Sequence, residues 1–440
     1  MGMKGISLLI IVVIFVAAIG GMFFLYQNIF QKFQLNNVPP MKYDQNNYPQ
    51  QILGYNQSQA PSKNYHGQEY SNVPSCGEKN ILFSFLPVDM SQVITLTPVG
   101  QRSTPDHVFP APHEYFNVID WNNPSDKEVN VYAPGDMTLT QIGLRHYNKL
   151  GQATNYIDYT LLFTVCDKFY FYYHHVRSLK YQPFIDAAQK TLQTCHFKSE
   201  VNEDYCSGQV NIPVKAGELV GTTGDLKAGV YGLDMGARDL RLPNGKNFAN
   251  PNRFCSGNFI NPFDRCYTVC AFDYFPKDVT KQLQFMDSEK NIRTDPPVCG
   301  DLYNDIKDAA QGYWFKQGPK LTNFSPESDN LFLGPDFIKP SIKLFSIGLS
   351  VPSLSAGSYT FGIKNSGLVN RDFKDVTSDG KIYCYDTSIS SGGSLQNSLG
   401  EVSIILQLTS KTTMRLEKLG SGTCGSGPWS FGSNFVDFER

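Results

Sequence analysis

Tyr159-Thr160-Leu161-Leu162-Phe163-Thr164-Val165, followed after a turn by Phe169-Tyr170-Phe171-Tyr172-Tyr173-His174-His175-Val176, is the stretch that decides the fold. Both runs are aromatic and β-branched, side chains that suit a pleated, half-buried surface. The same texture continues outward in both directions. Residues 81–86 and 93–96 are short β-type runs, and Val129-Asn130-Val131-Tyr132-Ala133-Pro134-Gly135 is an apolar strand entering a Pro-Gly turn. Residues 210–214 alternate before Lys215-Ala216-Gly217-Glu218. Repeated strands with turn punctuation predict an antiparallel β-sheet domain. The one clear helix expected in it covers 183–194, where Phe184, Ala187, Ala188 and Leu192 fall at helical spacing.

The last third is punctuated more densely. Gly334-Pro335, Lys339-Pro340, Ser378-Asp379-Gly380 and Ser391-Gly392-Gly393 separate strand-like runs at 343–349, 359–363, 381–385, 402–408 and 413–419. Asp379-Gly380, between 373–376 and 381–385, reads as a hairpin turn. Residues 402–408 and 413–417 alternate as two paired strands with one buried face, and a short helix is expected at 302–310. The reading is a small all-β barrel or sandwich over 300–440. Arg371, Arg415, Glu417 and Asp437 either form a polar cluster or, as is commoner on a sheet, are solvated-face charges, and Trp429 and Phe431 either plug the structure or offer rings to a sugar or peptide.

At the other end, residues 6–26 carry no charge and are almost wholly apolar, long enough for the roughly 20 residues that span a bilayer. The run closes on Phe23, Phe24 and Tyr26, interfacial aromatics rather than a small-residue cleavage site, so a retained anchor is expected. Lys4 before the run places the N-terminus inside and the bulk of the chain outside a cell membrane crossed once. Residues 28–75, rich in Asn, Gln, Tyr and Pro, cannot bury a core and read as a tether. Ten cysteines, all beyond the apolar run, form an even set that an oxidising compartment would pair; Cys195 with Cys206 and Cys384 with Cys424 are the pairings local proximity suggests. A metal site on Cys255, Cys266 and Cys270 is the rival use. The formal net charge of −2 and the lack of any basic run exclude nucleic acid as a partner.

The middle of the chain carries a resemblance. Pro105 to Phe116 with His107 and His113, then Val131-Tyr132-Ala133-Pro134-Gly135-Asp136, then Tyr172-Tyr173-His174-His175-Val176, then Val214-Lys215-Ala216-Gly217-Glu218-Leu219-Val220-Gly221-Thr222-Thr223-Gly224 follow in the order found in LytM/lysostaphin-type zinc endopeptidases, which are built on duplicated hybrid β-domains. The physical content of the last segment is two tight turns, each needing a glycine with positive φ, around a short strand. The resemblance implies a zinc ion held by an H-x-x-x-D pair and the second His of an H-x-H, with a further His on a middle strand assisting the water. Here His113 matches the first ligand, and Asn117 stands where the Asp belongs. His175 matches the middle-strand catalytic His. No histidine follows His196, so the last motif is replaced by Gly229-Val230-Tyr231-Gly232-Leu233-Asp234. Asp234 could serve with His113 as a substitute metal ligand; otherwise no cofactor is expected. His107, Tyr173, His174 and Tyr231 are the candidate binding residues of the old cleft.

The organisation expected is therefore a leader (1–5), a transmembrane helix (6–27), a tether (28–75), a degenerate peptidase-like β domain (76–290) and an all-β domain (300–440). The function expected is binding or scaffolding of a cell-envelope glycan, peptide or protein by an anchored pseudoenzyme that is compatible with homo-oligomers. The alternative is a zinc-dependent wall hydrolase with a rearranged ligand set. A second alternative rests on Lys4-Gly5 before the apolar run, which resembles the processing site of archaeal pilins and would make the chain a filament subunit.

Overall fold

A computed structural model describes residues 73–440 except 105–106, 121–122, 148–155, 197–202, 244, 246, 256–264, 319–326 and 391–397. The leader, the apolar run and nearly all of the tether lie outside the described residues, and among those described no helix is long and apolar enough to cross a membrane.

The chain is mainly β. Strands β1 (Thr95–Thr97), β2 (Glu114–Asn117), β3 (Val129–Tyr132), β4 (Met137–Tyr147), β5 (Tyr156–Cys166), β6 (Phe169–Val176) and β7 (Ser178–Leu179) precede helix α1 (Gln182–Leu192). After it come β8 (Glu203–Val214), β9 (Leu219–Thr223), β10 (Gly232–Asp239), β11 (Thr268–Val269) and the one-turn α2 (Lys277–Thr280). They build an antiparallel sheet in the order β1-β2-β10-β6-β5-β4-β8, with β11 on β10, and a three-stranded sheet β3-β9-β7. Phe116, Leu161, Phe163, Phe171, Tyr173, Leu233 and Met235 of the large sheet are buried in one cluster with Val129, Val131 and Val220 of the small one, so the core lies between the two sheets. Gly217 (φ +81°) and Gly224 (φ +83°) flank β9 as the two glycine turns expected.

The last third forms a closed barrel of eight antiparallel strands in sequence order: β12 (Gly312–Lys316), β13 (Leu331–Pro335), β14 (Ile342–Ile347), β15 (Gly357–Gly362), β16 (Tyr383–Ser390), β17 (Ser398–Leu408), β18 (Thr413–Ser421) and β19 (Val436–Glu439). Pairing of β12 with β19 at Phe315↔Glu439 closes it, which removes the open edges that invite aggregation. Its interior is filled, with Phe345, Phe361, Phe373 and Tyr385 meeting edge to face or tilted around Trp314 and Met414. Barrel and sheets share a third core of Val108, Phe109, Phe248, Phe254, Tyr313 and Phe332. Across it the buried Arg265 donates to Glu327 at 2.9 Å, and Glu327 accepts the Phe109 amide at 2.6 Å.

All ten cysteines are paired: Cys76–Cys166, Cys195–Cys206, Cys255–Cys266, Cys270–Cys299 and Cys384–Cys424. Both pairings suggested by proximity occur, and the metal use of Cys255, Cys266 and Cys270 is excluded by their disulfides. Other expectations fail for local reasons. Residues 81–86 are not a strand, because their amides bond to the single carbonyls of Tyr274 and Pro134 rather than along a ladder. Residues 302–310 are not helical; the Ile306 amide bonds forward to the Gln311 carbonyl, and the Ile306 and Ala309 carbonyls accept from Arg440, the former beside a single turn closed by the Ala309 amide. Asp379-Gly380 does not join two strands, since 373–375 is a 3-10 turn that inserts Phe373 into the barrel. The pair β17 and β18 is buried on both sides at Ile405, which lies under Cys384–Cys424 and Trp429, so those rings cover the outer wall. Of the expected surface charges, Arg415 does pair with Asp437 at 2.8 Å.

Candidate functional site

The site is built by strand alternation and one interruption of it. Along β6, Phe169, Phe171 and Tyr173 point into the core, so Tyr172 and His174 face outward. Registers carry that face across the sheet: Asp234 lies opposite His174 on one side and Tyr115 on the other, and His113 is two residues from Tyr115. On β5 the outward face holds Asp158 and Thr160. Regular alternation would send His175 inward beside Tyr173. Instead, Tyr159↔Val176 is followed by Leu161↔Tyr173, two residues against three, and His175 has φ +65°. This bulge turns the His175 side chain onto the outer face beside His174. Thr223 holds the bulge, with its buried hydroxyl 2.8 Å from the His175 carbonyl and 2.6 Å from that of Gly232. A non-glycine residue in the left-handed region is costly and is retained where surroundings over-determine it, commonly at functional positions.

The result is a carboxylate shared by two imidazoles. Asp234 Oδ1 is 3.4 Å from His113 Nδ1, and Asp234 Oδ2 is 3.5 Å from His175 Nε2. The other ring nitrogen of His175 is 2.7 Å from Asp158 Oδ2. His174 Nδ1 meets the Thr160 hydroxyl at 2.9 Å, and the His107 ring stands 5.9 Å from that of His113 at the rim. His113, Asp158 and Asp234 are buried, while His174 and His175 remain partly open to solvent. Asp158 Oδ1 is buried with no hydrogen-bond partner.

Charge and burial set the protonation. Burial opposes a charge on His175, but Asp158 and Asp234 outweigh it and lift the ring to about 9, so it is an imidazolium at neutral pH. Burial holds His113 and His174 below the ordinary value, despite the pull of Asp234, and keeps them neutral. Asp234, although burial pushes it up, is carried below the ordinary carboxylate value by His113, His175 and His174. The Tyr115 phenol beside it is raised well above its usual value, by burial first and then by Asp234. Beneath the site, on the core side of β2, burial raises Glu114 to about 8, while one of its oxygens accepts the Ala271 amide at 2.8 Å.

Among the residues singled out from the sequence, His113, His174, His175 and Asp234 come together, with His107 at the edge. Tyr173 does not join them: alternation puts it in the core, where its hydroxyl donates to the Tyr132 carbonyl at 2.8 Å. Tyr231 sits at the strand end, its carbonyl taken by the Val118 and Ile119 amides. Asn117 is turned to β1, where its amide donates to Thr95 at 2.8 Å. His146 lies within β4, opposite Ile157. Sequence reasoning missed Asp158 and Thr160. The signal was present, since a carboxylate and a hydroxyl two residues apart in an otherwise apolar strand must share one face.

Carboxylate and imidazole suit zinc chemically. Among the described residues, however, the groups that bring three ligand atoms within 4.8 Å of one another are Cys76, Cys166 and Asp167, and Glu114, Cys270 and Cys299, whose sulfurs are already in disulfides. At Asp234 each oxygen serves a different ring, a geometry that suits an ion-pair network or a ligand with its own donors and acceptors.

No protein-family model matches the chain, and neither a curated protein nor a solved structure matches it.

Proposed function

We propose that the outer face of the large sheet is the ligand-binding surface of an anchored extracytoplasmic protein that engages a cell-envelope peptide, glycan or protein. His113, Asp158, His175 and Asp234 form its polar centre, with His107, His174 and Tyr231 around it. The observation that carries the reading is His175, held in a left-handed bulge so that an imidazolium stands between two carboxylates at a partly open surface. A side chain placed that way against the strand's own alternation contributes nothing to the core, whereas it presents a fixed charge to an incoming group. The orphaned Asp158 oxygen supplies an acceptor beside it. Five disulfides support an oxidising location outside the cytoplasm. The test is histidine-labelled NMR of the protein titrated with soluble envelope peptides and oligosaccharides. The His113 and His175 signals should move with at least one class; signals that stay put with both would sink the proposal.

A second reading, the zinc-dependent hydrolase, is favoured by one contact. Asp158 at His175 Nδ1 leaves Nε2 directed at Asp234, as a carboxylate orients a metal-binding imidazole. Asn117, bonded to Thr95, weighs against it. Cleavage of a peptide substrate that requires added zinc and disappears in His113→Ala would establish this reading, and no cleavage under zinc would remove it.

A further inference from the structure

The same face continues past His174 into a small pocket beside the polar centre. Its walls are Gln141 and Gly143 on β4, Thr160 and Leu162 on β5, Tyr172 and His174 on β6, and Tyr205 on β8. Gln141 follows a second bulge, where Leu139↔Phe163 gives way to Gln141↔Leu162, so its side chain is also re-aimed by a break in register. It is only 3% exposed, and its Oε1 is buried with no hydrogen-bond partner. A buried carbonyl left unpaired is costly and asks for a donor. Gly143 keeps the pocket open, because a Cβ there would stand 2.2 Å from the Tyr205 hydroxyl.

The chemistry of the lining narrows the donor. No wall residue is charged: burial keeps His174 neutral and raises the Tyr205 phenol to about 12. Arg145 is close enough to disfavour the charged form of His174 and to favour the anion of Tyr205, a positive field that speaks against an ammonium group. The Thr160 hydroxyl is already engaged with His174, and the Tyr172 hydroxyl donates to the Pro112 carbonyl at 2.9 Å. In this space of about one water, lined also by the Tyr172 and Tyr205 rings, Gln141 Oε1 is an acceptor without a partner and suits a neutral donor such as an amide N–H. We infer that this pocket is a subsite for a backbone amide N–H of a bound peptide, received by Gln141 Oε1 between Tyr172 and Tyr205. The inference rests on the outer face being a ligand surface.

The test uses the full chain and two probes of nearly equal shape, N-acetyl-alanine N-methylamide and N-acetyl-alanine methyl ester, which replaces the terminal N–H by oxygen. Affinities are read by NMR titration of histidine- and glutamine-labelled protein. The amide should bind about tenfold more tightly than the ester, the worth of one buried hydrogen bond with its unpaired alternative. Gln141→Leu should erase that gap while leaving the thermal midpoint unchanged or higher, since it removes an unpaired buried carbonyl. Gly143→Ala, which presses on Tyr205 and shuts the slot, should erase it as well, so the inference does not hang on one variant folding. Equal affinity for amide and ester in the unaltered protein, or a gap that survives both substitutions, would show that the pocket holds only water and overturn the inference. Imidazole signals that move without any gap would overturn the subsite alone and leave the outer-face reading standing. A gap governed by Gln141 with His113 and His175 unmoved would uphold the subsite and take the binding centre away from His113 and His175.

Discussion

Replacing Asp158 by Asn isolates the charge that fixes His175. The Asp158 carboxylate lies 2.7 Å from Nδ1, and Asp234 lies 3.5 Å from Nε2. Against the opposing effect of burial, the two raise the ring from 6.5 to about 9. That difference corresponds to roughly 3 kcal/mol in favour of the charged ring, at about 1.4 kcal/mol for each tenfold change in proton affinity. Asparagine keeps the shape and removes the nearer charge, so His175 in Asp158→Asn should titrate at or below about 7. The sign for stability follows from linkage. A ring whose proton is held more tightly in the folded state stabilises fully below the unfolded value of 6.5, and this contribution is lost as pH rises through about 9. Denaturant unfolding of the unaltered protein should therefore lose about 3 kcal/mol more than the variant does between pH 6 and pH 9.5. The comparison of the two proteins cancels other titrating groups. His175 titrating near its ordinary value in the unaltered protein, or superimposable pH–stability curves, would refute the reasoning.

Three further perturbations probe the surroundings. Glu114 is buried and held neutral, with a value of about 8, so its presence costs stability increasingly as pH rises from 4.5 toward that value; Glu114→Gln should raise stability at pH 7 by at most about 3 kcal/mol and by nothing at pH 4, in the same unfolding assay. Glu327→Gln removes the carboxylate that pairs with the buried Arg265 guanidinium and should cost about 3–5 kcal/mol, whereas Arg265→Met combined with Glu327→Gln should recover much of that loss in a double-mutant cycle. Thr223→Val removes the hydroxyl that holds the His175 carbonyl; a loss of about 1–2 kcal/mol with a shifted His175 NMR signal is expected, and an unchanged signal would mean the bulge is held by other contacts.

Much of this architecture is visible in residue order because strands announce themselves by alternation and turns by glycine. The runs at 159–165 and 169–176 became β5 and β6, and Gly217 and Gly224 took the positive φ their turns demand. Strands at close spacing gave a barrel or a sandwich, and the closure that decides for the barrel was not legible, since pairing of β12 with β19 joins residues more than a hundred apart. The site was half legible. His113, His175 and Asp234 were singled out through motif order, while Asp158 was passed over inside an apolar strand. Tyr173 was placed in the cleft when alternation buries it. The decisive event, the extra residue that turns His175 outward, leaves no periodic trace, because a bulge is a property of two strands' register rather than of either strand alone. Residues 81–86 show the opposite failure: strand-like side chains whose amides find no ladder partner.

The most direct test of the central claim is the zinc content of the full-length protein, purified without added metal or chelator, beside His113→Ala. With Asp234 shared between two rings and His175 carrying a proton that a metal would have to displace, the account predicts well under one equivalent of zinc in both proteins and a folded, metal-independent domain. One equivalent in the unaltered protein that vanishes in His113→Ala would contradict it and make His113, His175 and Asp234 a metal centre.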